Sequence, residues 1–264
     1  MKGIVLAGGS GTRLMPLTKI TNKHLLPVGR EPMIFHPVKK LVAAGIRDIL
    51  VVTGCEHMGD VVGVLGSGRD FECEFTYRVQ DAAGGIAQAL GLARDFARGD
   101  KIAVLLGDNI FQDELGSSVE RFARQGRGAR ILLKQVPDPQ RYGVVELRGD
   151  RVVRIVEKPR EPPSDFAVTG IYFYDDRVFD VVASLKPSSR GELEITDVNN
   201  AYIERGQLGF DILAGYWTDA GTHESLRLAK DNWKKFAAKY IDEAKASTDR
   251  QLTTALYLSA AETY

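Results

Sequence analysis

The chain is short of cysteine, short of histidine and without a surplus of either charge, and each shortage narrows what it can do. Cys55 and Cys73 are its two cysteines, and they form no CxxC pair. A disulfide-built fold is therefore excluded, and both residues are expected to pack as small side chains in a reducing, cytoplasmic setting. The four histidines, His24, His36, His57 and His223, are scattered without spacing such as HExxH, which removes a zinc site. Lys plus Arg and Asp plus Glu balance at 35 each. No general affinity for nucleic acid or an anionic membrane is expected from such a balance, although a local basic pocket is allowed. No apolar run approaches the ~18 residues that span a bilayer. The start, MKGIVLA, passes straight into a strand-like run, so no signal peptide is expected. What the chain does have is 44% hydrophobic residues over 264 positions, enough for a sizeable core.

Strand and helix patterns alternate through the first half. KGIVL at 2–6, IRDILVVT at 46–53, FECEFTYRV at 71–79, KIAVLLGD at 101–108 and ARILLKQV at 129–136 read as strands. Helices are predicted over 32–44 (opened by Pro32, stopped by Gly45), near 57–65, over 86–97 and near 114–125. This alternation predicts an α/β fold with a mainly parallel sheet, helices on both faces and ligands at the carboxyl ends of the strands. Beyond about residue 137 the texture changes. PDPQRYG is a turn, residues 144–159 a hairpin around Gly149-Asp150, and FAVTGIYFYD a half-buried strand. Helices near 176–184 and 194–205, the strand LGFDILAGYW and a helical tail from Thr222 complete the pattern. The second half is expected to extend the same sheet and wall the site. Residues 1–228 form one domain in this reading, 1–136 and 137–228 being its two parts, with 229–264 as the tail. DNWKKFAAKY in that tail reads as a helix with a solvated basic face.

The loop GGSGTRLMP at 8–16 follows the first strand. It is not a dinucleotide fingerprint, because Leu14 stands at the third glycine position, and it is neither a Walker A loop nor a nucleophile elbow. Gly8, Gly9 and Gly11 can bring backbone N–H groups to an anion. Arg13 adds a planar cation and Lys23 a mobile one. A tight surface turn with solvated basic residues explains the loop equally well when it is taken alone.

The longer stretch LAGGSGTRLMPLT…NKHLLPV at 6–28 resembles the sugar-1-phosphate nucleotidyltransferases. The likeness continues through GGIAQAL at 84–90, LLGDNIF at 105–111, RYGVVE at 141–146, EKP at 157–159, AVTGIYFYD at 167–175, RGELEITDVNN opening with Arg190, and WTDAGT at 217–222. It covers roughly residues 1–228, and within the group the set is most similar to the short form of the glucose-1-phosphate thymidylyltransferases. The resemblance implies a Rossmann-like nucleotidyltransferase fold with sugar-binding insertions. The implied reaction is Mg²⁺-dependent: glucose 1-phosphate and dTTP give dTDP-glucose, for surface polysaccharide, and pyrophosphate. It also implies a homo-oligomer.

By that resemblance, Leu6, Ala7, Gly8, Gly9, Gly11 and Thr12 hold the nucleotide together with Arg13, which steadies the departing pyrophosphate. Lys23 reaches the phosphates of donor and acceptor, and Arg13, Lys23 and Asp108 are the catalytic set. Asp108 and Asp219 are the implied Mg²⁺ ligands; read alone, each is a cap or turn aspartate. Gln80 and Gly85 read the base. Asn109, Tyr142, Gly143, Glu157, Lys158, Val168, Thr169 and Arg190 take the sugar phosphate. This chain departs from the family at DAAGG (81–85), where Pro-x-Pro-Asp-Gly is common, and at His24, where longer members have glutamine. UTP or another hexose phosphate stays open as an alternative, as does a binding or regulatory protein that has kept the fold without the reaction.

Overall fold

Apolar runs bounded by glycine, with amphipathic segments between them, set out the elements. The computed structural model describes residues 1–246, with side chains through residue 235. The chain begins with β1 (Lys2–Ala7), the small hairpin β2 (Pro27–Val28) and β3 (Glu31–Pro32), α1 (Phe35–Ala43), β4 (Asp48–Gly54) and α2 (Met58–Leu65). Then follow β5 (Glu74–Gln80), α3 (Ile86–Gly91), α4 (Arg94–Ala97), β6 (Ile102–Leu106), β7 (Asn109–Phe111), α5 (Gly116–Arg124) and β8 (Ala129–Gln135). The second half holds β9 (Gly143–Arg148), β10 (Arg151–Glu157), β11 (Phe166–Tyr174), α6 (Val178–Ser184), α7 (Ile195–Glu204), β12 (Leu208–Ile212), β13 (Trp217–Asp219) and α8 (His223–Ala246).

One nine-stranded sheet runs β10-β9-β11-β6-β1-β4-β5, with β8 on β11 and β12 on β8. The first-half strands β6, β1, β4 and β5 pair in parallel, as predicted. The second half does extend this sheet. β11 enters antiparallel against β6, β8 and β9, so the two parallel groups meet on either side of a reversed strand. All the strands of this sheet except β10 and β11 point the same way. The carboxyl ends of β1, β5 and β6 therefore share one edge, where a ligand site belongs.

Alternation decides which face each side chain joins. Ile4 and Leu6 of β1 pack with Leu90, Val104, Val198 and Tyr202, under α3, α6 and α7. Val5 and Ala7 pack on the opposite face with Val38, Leu41, Val51 and Phe122, under α1, α2 and α5. A third cluster joins Leu14, Leu26, Met33, Ile110 and Leu226, and so seats the glycine loop on α8.

Several local expectations are corrected. Pro32 does not open the first helix; it pairs with Pro27 in the β2–β3 hairpin, and α1 begins at Phe35. The helix over 86–97 is two pieces, α3 and α4. The run LGFDILAGYW splits into β12 and β13, because the segment between them is held from two sides. Lys134 Nζ donates to the carbonyls of Leu213, Ala214 and Gly215, and Asp113 accepts from the N–H groups of Ala214 and Gly215. Ile171–Tyr174 are buried on both faces, not on one, because β11 lies inside the sheet with helices above and below. Cys73 is buried, but Cys55 is exposed. In the predicted tail helix Trp233 packs edge-on against buried His36 at 4.3 Å. Residues 247–264 lie outside the described residues.

Candidate active site

Past Ala7 the chain leaves β1 and turns over the sheet edge. Gly9 and Gly11 take left-handed φ values of 95° and 62°, a conformation that L side chains resist. Gly11 also has no room for a side chain, since a Cβ there would lie 2.8 Å from Thr18 Cγ2. Fully buried Leu14 anchors the far end of the loop, while Arg13 stays exposed. Asn22 then orders the segment that carries Lys23. Its Oδ1 accepts from the N–H of His24 at 2.9 Å and meets the His24 Nδ1 at 2.7 Å. Burial pushes the His24 pKa down to about 3, helped by Lys23, so the imidazole is neutral near pH 7.

The ribbon of β7 and β13 explains how two distant aspartates meet. Asn109 pairs with Asp219 in its register, and the N–H of Ala220 donates to the Asp108 carbonyl at 2.8 Å. Asp108 and Asp219 thus stand at the same end of one ribbon. Lys23 Nζ donates to Asp108 Oδ2 at 2.6 Å, with the two side chains 14% and 11% exposed. Burial alone would raise the Asp108 pKa; the Lys23 ammonium outweighs it and holds the carboxylate ionised, well below the usual range. Asp219 shifts the other way: burial raises it, and so does the neighbouring Asp108 charge. Its Oδ1 accepts from the Gly221 N–H at 3.0 Å, which is the Asx turn that the bland reading of this residue describes. A Cβ added to Gly221 would lie 3.1 Å from Arg13 Nη2, 3.3 Å from Asp219 Oδ1 and 3.6 Å from Asp108 Oδ2. A guanidinium and two carboxylates therefore stand around Gly221 at one end of the ribbon.

The opposite wall comes from the second half. β11 carries extra residues between Val168 and Tyr172, so its register against β8 shifts there. This bulge aims backbone into the cleft. Thr169 Oγ1 turns away to the Leu132 carbonyl at 2.8 Å, and the Gly170 N–H donates to Asn109 Oδ1 at 2.9 Å. Glu157 ends β10 and accepts from Thr196 Oγ1 at 2.7 Å. Lys158 Nζ lies 3.5 Å from Glu157, and its backbone takes a left-handed φ of 44°. Arg190 Nη2 bonds both oxygens of Glu194, at 2.8 and 2.7 Å, and reaches Glu157 at 3.5 Å. Between the two walls lies a cleft of about 300 Å³.

The model of the family described as nucleotidyl transferase matches residues 2–235. The chain belongs to this family. Among similar proteins, one of Neisseria meningitidis named glucose-1-phosphate thymidylyltransferase is 48% identical over 233 residues, 87% of this chain and 81% of that one. One of the same name from Mycolicibacterium smegmatis is 47% identical over 235 residues, 88% and 81% of the two chains. A Bacillus anthracis crystal structure with sucrose bound, of a protein assigned as a glucose-1-phosphate thymidylyltransferase, is 59% identical. It superposes with a TM-score of 0.85 over 88% of this chain and 94% of that chain. A UDP-glucose pyrophosphorylase bound to UDP-glucose shares the fold alone, at 24% identity and a TM-score of 0.80, over 89% and 98% of the two chains.

The nucleotidyl transferase motifs gather on this one cleft. The predicted residues of both walls line it, from Gly8, Lys23, Gln80 and Asp108 to Glu157, Arg190 and Asp219. Three predicted nucleotide residues do not. Gly11 packs on Thr18, Thr12 is exposed at the start of a short 3₁₀ turn, and Ala7 offers its carbonyl to Asn22 Nδ2 at 3.4 Å. Asn109 lines the cleft, but its amide oxygen already accepts from the Gly170 N–H and from Trp217 Nε1 at 2.7 Å, and its Nδ2 lies 3.2 Å from Asp108 Oδ1. Sequence reasoning missed Arg141, Thr196, Trp217 and Glu194 as wall residues. All four sat inside the quoted motifs RYGVVE, RGELEITDVNN and WTDAGT, so the signal was present without its meaning.

Proposed function

We propose that this chain transfers a thymidylyl group from dTTP to glucose 1-phosphate, giving dTDP-glucose and pyrophosphate. The convergence of Arg13, Lys23, Asp108 and Asp219 on one cleft, with Lys23 paired to Asp108, carries this reading. The similar proteins named above supply the substrate names. In the reaction an oxygen of the sugar phosphate attacks the α-phosphorus in line, and the bond from that phosphorus to the bridging oxygen of pyrophosphate breaks. The nucleophile is already an anion, so no base is needed; the barrier is charge repulsion and alignment.

The roles divide between the walls, with 1–136 serving mainly the nucleotide and 137–228 mainly the sugar. Backbone N–H groups at Gly8 and Gly9 cradle the triphosphate, and Leu6 lies beneath it. Arg13 takes the charge that develops on pyrophosphate. Lys23 exchanges Asp108 for phosphate oxygens. Gln80 and Gly85 meet the base. Glu157 accepts from sugar hydroxyls, the N–H of Gly143 and the bulge at Val168 and Thr169 meet the ring, and Lys158 and Arg190 bind its phosphate beside Tyr142. Asp108 and Asp219 fit Mg²⁺: both carboxylates line the cleft, and an oxygen of each lies beside Gly221. Such a short hard-oxygen set suits an ion that takes its other ligands from phosphates and water. When bound, Mg²⁺ supplies neutralisation of the α-phosphate.

A homo-oligomer in a reducing cytoplasm belongs to the same proposal; the two free cysteines support the compartment, and light scattering tests the assembly. No helix among the described residues is long and apolar enough to cross a membrane. Pyrophosphate release, with dTTP or UTP, with and without glucose 1-phosphate, tests the reaction. Sugar-dependent release that favours dTTP is expected, by no more than the ~1–3 kcal/mol one methyl group allows. Silence with both nucleotides, alongside tight nucleotide binding, would favour a non-catalytic binding protein.

A further inference from the structure

The side chain of Gln80 is buried where β5 meets the cleft, and both hydrogens of its amide are spoken for. Gln80 Nε2 donates to the Gly85 carbonyl at 3.3 Å and to Gln88 Oε1. A backbone carbonyl can only accept, so the end of the amide that faces Gly85 is the NH₂. The opposite end, Oε1, sits over the glycine loop: a Cβ on Gly8 would lie 2.6 Å from it. What Gln80 offers on that side is lone pairs alone.

The acceptors that fix this polarity are themselves held. Gly85 has a φ of 97°, and a Cβ there would lie 2.5 Å from the Leu193 carbonyl. The Leu193 N–H donates to Gly84 at 2.8 Å, and the Leu193 carbonyl accepts from Ala87 at 3.2 Å. Gln88, on α3, lies over Gly84, where a Cβ would come within 3.1 Å of its Cγ and Cδ. The two glycines of DAAGG thus admit the Gln88 side chain and bring its oxygen to Gln80.

We propose that Gln88 is a specificity-determining positioning residue: by accepting from Gln80 it reinforces the polarity that the acceptor-only Gly85 carbonyl sets and holds the Gln80 oxygen toward the base, so that the cleft takes pyrimidines carrying an imide N–H. Thymine and uracil donate to such an oxygen, whereas cytosine presents a lone pair at the same position and is repelled. This rests on the reading of the cleft as a pyrimidine nucleotide site. Removing the Gln88 oxygen leaves the longer Gly85 bond alone to oppose the inverted amide, so a larger share of Gln80 turns its NH₂ outward.

The test is calorimetric binding of dTTP and dCTP to the full chain, which needs no turnover, in the unaltered protein and in Gln88→Leu, Gln88→Met and Gln88→Glu. The dTTP-over-dCTP preference is expected to fall about tenfold in the Leu and Met variants, the scale of one hydrogen bond. It is expected to persist in Gln88→Glu, whose carboxylate still accepts. A purely structural role would lower the melting temperature of all three variants without moving the ratio. The inference is overturned if the unaltered protein binds the two nucleotides alike, or if Leu and Met variants keep the preference, or if the Glu variant loses it as they do. Selective binding without pyrophosphate release would instead sink the proposed reaction and leave the Gln88 lock standing.

Discussion

On the β1 side of the cleft, Lys23 and Asp108 share one short contact with little water around it. On the β11 side, Arg190, Lys158, Glu157, Glu194 and Thr196 share several contacts, with Arg190 42% and Lys158 50% exposed. The first arrangement concentrates charge in a low dielectric, where Asp108 leans on Lys23 and, beyond it, on the Asn109 amide alone. The second spreads charge over a network that water also solvates, so the loss of one member is shared. The β1 side adds backbone at Gly8 and Gly9, where glycines leave room for an anion, to the side chains of Arg13, Gln80 and Asp219. The β11 side is made mostly of side chains, with backbone at Gly143 and at the bulge that begins at Val168. The same cleft therefore holds one wall fit for fixing and neutralising charge and another fit for shape.

Lys23→Met should break this contrast most severely. It strands Asp108 in the interior, and a loss of about 3–5 kcal/mol is expected in urea unfolding, together with loss of turnover. Adding Asp108→Asn should recover much of the stability and none of the activity. Full stability in the single variant would mean that the pair is no more buried in effect than Arg190 and Glu194.

Arg13→Ala should separate catalysis from folding. Its guanidinium is exposed, so the melting temperature should hardly move, while turnover falls ~10²–10³-fold, as when a donor to developing charge is removed. An equal loss of both would make Arg13 a structural residue. Asp219→Asn should raise the Mg²⁺ midpoint for turnover about tenfold, without loss of stability in EDTA, because it removes a charge that burial and Asp108 both oppose. An unmoved titration would take Asp219 off the ligand list. Arg190→Ala, on the solvated wall, should cost under ~1 kcal/mol of stability and raise the KM for the sugar phosphate more than it lowers kcat.

The elements of the first half were legible because each is a local pattern. The apolar run of β1, the glycine stop at 45 and the strand ending at Leu106 need no distant partner to be read. Where the reading failed, a distant partner was in control. Pro32 looked like a helix start and is held by Pro27. LGFDILAGYW looked continuous and is split by Lys134 and Asp113. TGIYFYD looked half-buried, because alternation of aromatic and aliphatic residues does not say that β11 lies between β6 and β8. In the candidate site, motif order drew attention to Arg13, Lys23, Asp108 and Asp219. Asn109 shows the limit: its identity was noticed, but its three contacts come from β11, β13 and Asp108.

By itself, the sequence determined the α/β class, the glycine loop, the cationic and acidic residues and the family likeness, because these depend on residue type and short-range spacing. Tertiary structure alone decided that β11 runs reversed inside the sheet and that the β7–β13 ribbon sets Asp219 beside Asp108. It also decided that Lys23 pairs with Asp108 and that Arg13, Asp108 and Asp219 stand together around Gly221. Those outcomes depend on distances between residues far apart in the chain, and a one-dimensional pattern carries no such distances.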